Sequence, residues 1–236
     1  THGTMYDNPA LAPSAVEALE RRYGGTRLGR QELLGEYIEE MEGALWRIEW
    51  IDNQRRAEAP TRIEDDTKVL DMPRVVVAVD PAVTANVESD ETAIAVGGLG
   101  PDGDYYMLSV MGYRLPPQQW AMKALDAYDR YQADKIVCEV NNGGDMVVDT
   151  INRVCEGLGR TVNVEAIRAS RGKTLRAEPI AALYEQGRVH HVGIFDEAED
   201  QMCSFPVANE HDDLVDALVY VLSDLTNDGA PNIRFL

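Results

Sequence analysis

A change of pattern at Arg74 is the strongest constraint on how this chain folds. Three runs rich in Val, Ile, Ala and Tyr follow one another at Arg74–Asp80, 91–97 and Tyr105–Tyr113. Short stretches with Gly, Pro and Asp separate them, as between the strands of an antiparallel meander. The sequence therefore predicts that the main domain begins with three antiparallel strands.

After the meander, helical and strand patterns alternate. Strand patterns at 135–140, 162–167 and 188–191 are separated by helical patterns at about 117–131, 145–158 and 174–186, and a last helix covers about 212–225. Such alternation indicates strands that pair in parallel. We therefore predict an α/β fold with a mixed five-stranded sheet, made of an antiparallel meander plus parallel strands and flanked by helices.

Residues 1–71 have a different character and predict a separate segment. They are polar and rich in Arg and Glu, and helical spacing is found at 13–23 and 31–50. Neither helix alone has enough apolar surface for a core. We expect either a helical arm packed on the main domain or a helical linker to another domain, with the main domain at 72–236.

The charge of the chain argues against a nucleic-acid partner. Acidic residues outnumber basic ones by 41 to 22, which gives a formal net charge of -19. Two considerations weaken this objection. Acids that bind divalent cations are neutralised in part by them, and a local basic stretch can contact phosphates on an acidic protein.

Cysteine usage and hydropathy bear on the compartment. Cys138, Cys155 and Cys203 are odd in number, widely spaced and set among apolar residues, which fits neither a disulfide framework nor a zinc knuckle. No apolar run approaches the roughly 20 residues that cross a bilayer. These features predict a soluble, cytoplasmic protein without a membrane partner.

Three carboxylates stand where strands or helices would bring them together. Asp80 closes the first strand run, Glu139 follows the apolar run 136–138, and Asp213 lies in the helical stretch 211–222. If the first and fourth strands are neighbours, their ends place Asp80 beside Glu139, and the last helix can add Asp213. Asp80 alone would more often be an ordinary turn residue before Pro81. Together the three predict a site for Mg²⁺ or Mn²⁺, with two ions expected.

The start of the last helix offers further candidate ligands. Asp213 and Asp216 share one helical face and Asp212 lies one step around, so either Asp212 or Asp216 could serve as an auxiliary carboxylate. Asp212 is equally suited to cap the helix, and acids in a first turn are common in any protein. His211 could orient a water or a ligand, or be structural.

A basic stretch between the second and third acids is the clearest candidate for phosphate contacts. It contains Arg168, Arg171, Lys173 and Arg176, with Gly172 permitting close approach of the backbone and a helix N-terminus following. A solvated loop is an equally good interpretation. The spacing is not that of a nucleotide-binding P-loop.

Several of these segments resemble one known family. They are VVVAVDP at 75–81, VCEVN at 137–141, KTLRA at 173–177, YEQGRVH at 184–190 and HDDLVDAL at 211–218. They resemble ribonuclease H-like nucleases, and more specifically the nuclease domain of the large terminase subunit of tailed bacteriophages. Residues 1–8 and 23–36 look like the join between a terminase ATPase domain and its nuclease, and Walker motifs are lacking.

The resemblance implies a ribonuclease H-like fold and a DNA endonuclease that cuts phage or prophage DNA during packaging. It implies Asp80, Glu139 and Asp213 as catalytic metal ligands. Its implied partners are double-stranded DNA, the small terminase subunit, the portal protein and an ATPase domain of the same full-length chain, in the bacterial host cytoplasm. A resolvase-type nuclease of the same fold and a non-catalytic acidic docking domain are the alternatives.

Overall fold

A six-stranded mixed sheet forms the centre of the fold. The chain is described by a computed structural model at residues 4–7, 11–17, 33, 41–81, 91–140, 146–168, 172–207 and 212–227. The strands are β1 Thr61–Glu64, β2 Thr67–Leu70, β3 Arg74–Asp80, β4 Thr92–Leu99, β5 Tyr105–Tyr113, β6 Lys135–Glu139, β7 Val164–Ile167 and β8 Val189–His191. The main helices are α1 Ile48–Gln54, α2 Pro117–Arg130, α3 Met146–Gly157, α4 Lys173–Glu185, α5 Asp196–Ser204 and α6 Asp213–Thr226.

The sheet has the order β7-β6-β3-β4-β5-β8. Strands β3, β4 and β5 form the predicted antiparallel meander, and β6 and β7 add to it in parallel beside β3. The prediction of five strands was wrong by one, because β8 pairs in parallel with the outer edge of β5. The strand itself was predicted at 188–191; only its place in the sheet was left out of the total of five.

Helices cover both faces of the sheet. Helix α6 packs across β3, β4 and β5, with α4 and α5 beside it, whereas α2 and α3 cover the opposite face. A bulge in β4 lies between Val96 and Gly97, directly under α6. A Cβ atom at Gly97 would lie 2.6 Å from Cγ1 of Val221, so the glycine lets α6 approach the sheet closely.

Where it is described after residue 40, the N-terminal segment is less helical than its spacing predicted. Residues 41–47 are irregular and α1 begins only at Ile48, so the predicted helix at 31–50 does not run through this part. Gly43 there has a φ of +92°, which is incompatible with a continuous helix. Strands β1 and β2 form a hairpin that the sequence analysis missed, with positive φ at Asp65 and Asp66 as in a type I′ turn. Of the predicted helix at 13–23, residues 13–17 are helical and the remainder lies outside the described residues.

Part of the N-terminal segment contributes to the core of the nearby helices. Trp46 and Ile51 are fully buried in the same cluster as α4, α5 and α6. The indole ring of Trp46 packs edge-on against Tyr184 at 6.2 Å between ring centroids and against Phe205 at 6.0 Å. A border between residues 71 and 72 remains a prediction, but Trp46 and Ile51 belong to the core of the main domain and Leu45, Ile48 and Trp50 pack against it.

A buried ion-pair network fastens this segment to the rest of the fold. The guanidinium of Arg55, just after α1, donates to both carboxylate oxygens of Glu199 at 2.7 and 2.9 Å. Glu199 in turn lies 2.9 Å from Nδ1 of the fully buried His191, whose Nε2 lies 2.8 Å from the hydroxyl of Tyr184. Burial lowers the pKa of His191, so the ring is neutral, donates to Glu199 and accepts from Tyr184.

Within the described part of the chain, none of the helices has the length and apolar character needed to cross a membrane.

Candidate active site

Asp80 and Glu139 meet at one edge of the sheet. Strands β3 and β6 are parallel neighbours with Val79 opposite Cys138, so the next residue of each strand stands at the same level. The two carboxyl groups share a hydrogen bond. Apolar strand residues before each acid are fully buried, which fixes the strand ends and hence the positions of the two acids.

Helix α6 brings two more carboxylates to the same place. Asp213 and Asp216 both lie within electrostatic range of Asp80. Burial raises the pKa of Asp80 well above its usual value, and the negative charges of Asp216 and Glu139 add to this effect. The structure thus brings together Asp80, Glu139 and Asp213, and places Asp216 among them as a buried member of the cluster.

Two basic residues of α4 neutralise part of this negative charge. The ammonium of Lys173 lies 2.6 Å from Oδ1 of Asp212 and 2.7 Å from Oδ2 of Asp216. Burial alone would lower the pKa of Lys173, but hydrogen bonds to these two carboxylates raise it, so the side chain stays charged. Arg176, one turn later, reaches Oδ1 of Asp216 at 3.2 Å.

Tyr220 is a member of the site that the sequence analysis missed. Its hydroxyl is hydrogen-bonded to Arg176 and to Glu139, and the ring lies under the guanidinium at 4.9 Å. The spacing held a signal for it, because Tyr220 follows Asp216 by four residues and Asp213 by seven on the same helical face. An aromatic ring in so apolar a helix is equally typical of a core position, so the spacing alone did not identify Tyr220 as part of the site.

The remaining predicted residues lie at the margin of the site or outside the described residues. Arg168 is exposed just after β7. Lys173 is half-exposed, whereas Arg176 is largely buried against α6. Arg171 and His211 lie outside the described residues.

The donor set fits a hard divalent cation. Carboxylate oxygens are the ligands that Mg²⁺ and Mn²⁺ prefer, and four carboxyl groups converge here from β3, β6 and α6. Among the described residues, however, no three His, Cys, Asp or Glu side chains are already arranged as a metal site. Lys173 pairs with carboxylate oxygens of Asp212 and Asp216, and Asp80 and Glu139 share a hydrogen bond, so a cation would have to replace these contacts.

Solved structures of terminase nucleases share this fold. The nuclease domain of the large terminase subunit gp2 of bacterial virus Sf6 aligns with a TM-score of 0.55 and 10% identity, over 76% of this chain and 98% of that one. The zinc-bound large terminase nuclease of thermophilic phage G20c aligns with a TM-score of 0.51 and 16% identity, over 72% and 94%. The large terminase of another thermophilic bacteriophage aligns with a TM-score of 0.53 and 16% identity, over 94% of this chain and 55% of that one.

Sequence comparison agrees with the structural likeness. None of the curated protein sequences matches this chain. The family model described as the terminase RNaseH-like domain, in contrast, matches residues 77–225, which is well over half of the 236 residues. This range includes the end of β3, all of β6 and α4, and most of α6, and therefore every carboxylate of the site. The chain belongs to the family of terminase ribonuclease H-like domains.

Proposed function

We propose that this chain is a metal-dependent endonuclease that cuts concatemeric DNA of a phage or phage-like particle during packaging. The observation that carries this proposal is the meeting of Asp80, Glu139, Asp213 and Asp216 at the ends of β3 and β6. A nuclease of this fold needs such a cluster of oxygen ligands, whereas a structural role would not favour burying so many like charges.

Asp80, Glu139 and Asp213 would hold two Mg²⁺ or Mn²⁺ ions, with Asp212 or Asp216 as an auxiliary ligand. When bound, such ions supply an activated water and positive charge beside the leaving oxygen of a phosphodiester. Family relatives support this proposal, because terminase nuclease structures from phages G20c and Sf6 were determined with zinc, cobalt, calcium and manganese.

The basic residues beside the acids are proposed to bind the DNA backbone. Arg168, Arg171, Lys173 and Arg176 would contact phosphates and therefore confer little sequence specificity. The net charge of -19 predicts weak intrinsic affinity for DNA. An ATPase domain of the same full-length chain, a small terminase subunit and the portal protein would then deliver the DNA, in the cytoplasm of the bacterial host.

A plasmid assay tests the proposed activity. Purified protein is expected to nick and linearise supercoiled plasmid in the presence of Mn²⁺ or Mg²⁺, with few preferred positions, and EDTA should abolish the reaction. Cleavage that persists undiminished in EDTA would contradict a metal-dependent mechanism. Comparison of linear with four-way-junction DNA addresses the alternative, since a resolvase-type enzyme would strongly prefer the junction.

A non-catalytic docking domain is the second alternative. Its acidic surface would bind a basic partner, and the carboxylates would be structural. Calorimetry with Mn²⁺ separates the two functions, because the docking domain predicts no stoichiometric binding of metal.

Replacement of Lys173 by alanine tests the DNA-binding proposal. Because its ammonium is half-exposed at the rim of the site, we expect weaker DNA binding and a salt dependence reduced by about one unit in the slope of log K against log salt. Fluorescence anisotropy with a labelled duplex over a range of salt concentrations measures both. Lys123→Ala, an exposed lysine on α2, is the matched control and should leave the slope unchanged. An unchanged slope in Lys173→Ala would show that this lysine contacts no phosphate.

A further inference from the structure

Tyr220 occupies an unusual position for a buried tyrosine. It is 3% exposed, yet its hydroxyl lies among charged groups instead of against the apolar core that surrounds most of α6. Asp213, Asp216 and Tyr220 form one stripe along the helix, so the tyrosine extends the acidic face inward by one turn. A phenylalanine would fill the same space in a purely structural role.

The hydrogen bonds of the hydroxyl have a defined direction. A guanidinium has only donors, so the oxygen of Tyr220 accepts from Arg176. The single hydroxyl proton is then available for Glu139, and the tyrosine donates to that carboxylate. Burial raises the pKa of Tyr220 far above its usual value, and the hydroxyl remains a donor at every working pH.

Arg176 and Tyr220 together connect α6 to the end of β6. Its guanidinium contacts Asp216 at 3.2 Å and Tyr220, both on α6, and Tyr220 contacts Glu139 at the end of β6. Glu139 shares a hydrogen bond with Asp80 on one side, and Tyr220 contacts it from α6. A donor on a rigid, buried helix fixes one orientation of the carboxylate.

We propose that Tyr220 is a positioning residue, which orients the Glu139 carboxylate toward the metal site and is itself held by Arg176. This inference rests on the proposed metal-dependent function. Groups that orient a metal ligand typically contribute 10- to 100-fold to metal affinity. The tyrosine touches neither substrate nor metal in this role, and acts only through Glu139.

Tyr220→Phe removes a single oxygen atom and tests the proposal. We expect Mn²⁺ affinity, measured by isothermal titration calorimetry, to fall by about 10- to 100-fold. The control is Tyr131→Phe, which removes a hydroxyl that donates to the carbonyl of Leu108 on the other face of the sheet. It should leave the affinity unchanged, even if both variants lower the thermal midpoint by similar amounts.

The outcomes separate this inference from the proposed function. If the wild-type protein binds no Mn²⁺, the metal-dependent function itself fails. If the wild type binds Mn²⁺ and Tyr220→Phe binds it with the same affinity, the function stands and the positioning role is overturned. A loss of affinity equal to that of Tyr131→Phe would likewise overturn it, because a general loss of packing would then explain both.

Discussion

Replacement of Asp80 by asparagine is expected to lower plasmid cleavage by at least about 10³-fold, because residues that act as one catalytic unit lose most of the activity when any one is removed. Asp80 lies at the centre of the carboxyl cluster and interacts with Glu139, Asp213 and Asp216. Rates of nicking in Mn²⁺, compared with the wild type over a range of enzyme concentrations, measure the loss.

The fold should survive this substitution. Burial and neighbouring negative charges already raise the pKa of Asp80, so a neutral amide relieves an unfavourable environment. We expect a thermal midpoint equal to or above that of the wild type. Asp126→Asn, an exposed aspartate on α2, is the control for activity. Near-normal cutting by Asp80→Asn in a folded protein would remove Asp80 from the site.

Replacement of Glu199 by alanine is expected to destabilise the protein by about 3–5 kcal/mol, the usual cost of removing one partner from a buried ion pair. Glu199 is 1% exposed and accepts hydrogen bonds from Arg55, His191 and the backbone N–H of Phe195. His191 is fully buried and the other two donors are partly buried, so all three would lose this carboxylate with little access to water. Unfolding in guanidinium chloride at neutral pH measures the change in the free energy of unfolding.

Glu197→Ala is the control for this experiment. Glu197 lies two residues earlier on the same helix, α5, but is exposed. Its replacement should change the free energy of unfolding by no more than about 0.5 kcal/mol. If Glu199→Ala lowers the free energy of unfolding by less than about 1 kcal/mol, the contacts of Glu199 with Arg55 and His191 do not stabilise the fold as proposed.

The same network predicts how stability depends on pH. Burial lowers the pKa of His191 below its usual 6.5, so the unfolded chain binds that proton first and stability falls as the pH drops below about 6.5. Burial would raise the pKa of Glu199, but hydrogen bonds from His191 and Arg55 lower it to about 2. Its contribution is therefore complete above the usual value of 4.5 and is lost as the pH falls toward about 2.

The difference between wild type and Glu199→Ala isolates this effect, because most other groups titrate alike in both. Arg55, Asp52 and Tyr184 are the other titratable groups that face the pair. We expect the stability difference to shrink as the pH falls from about 4.5 toward 2, where the Glu199 carboxylate takes up its proton, and urea unfolding at a series of pH values can measure this. A difference that grows between about pH 4.5 and 2 would have the wrong sign for the Glu199 carboxylate.

The meander and the two strand-end carboxylates could be predicted because their information is local. Each β-branched run from Arg74 to Tyr113 carries its own strand signal, and parallel neighbours bring Asp80 and Glu139 to one edge. Strand β8 was recognised at 188–191, but the sequence did not show that it joins the same sheet, because its pairing with β5 is a long-range contact. The hairpin of β1 and β2 escaped because most of its side chains are exposed, so no alternation of burial marks it.

Side-chain partners across the fold could not be predicted in the same way. Lys173 and Arg176 were recognised as basic residues near the site, but their pairing with Asp212 and Asp216 depends on the packing of α4 against α6. The same packing brings Tyr220 to Arg176. Arg55 and Glu199 are 144 residues apart, and no sequence pattern predicts that they form an ion pair.

The burial of Trp46 and the ion pair between Arg55 and Glu199 affect how a pulling force would reach the fold. Force applied to the chain on the N-terminal side of Leu45 would be transmitted first to helices α4 and α5, and not to the strand edge where Asp80 and Glu139 stand. Helix α4 carries Tyr184 near its end and Lys173 at its start. Because Tyr184 and Lys173 lie on one helix, a displacement of α4 at Tyr184 would also displace the ammonium that pairs with Asp212 and Asp216.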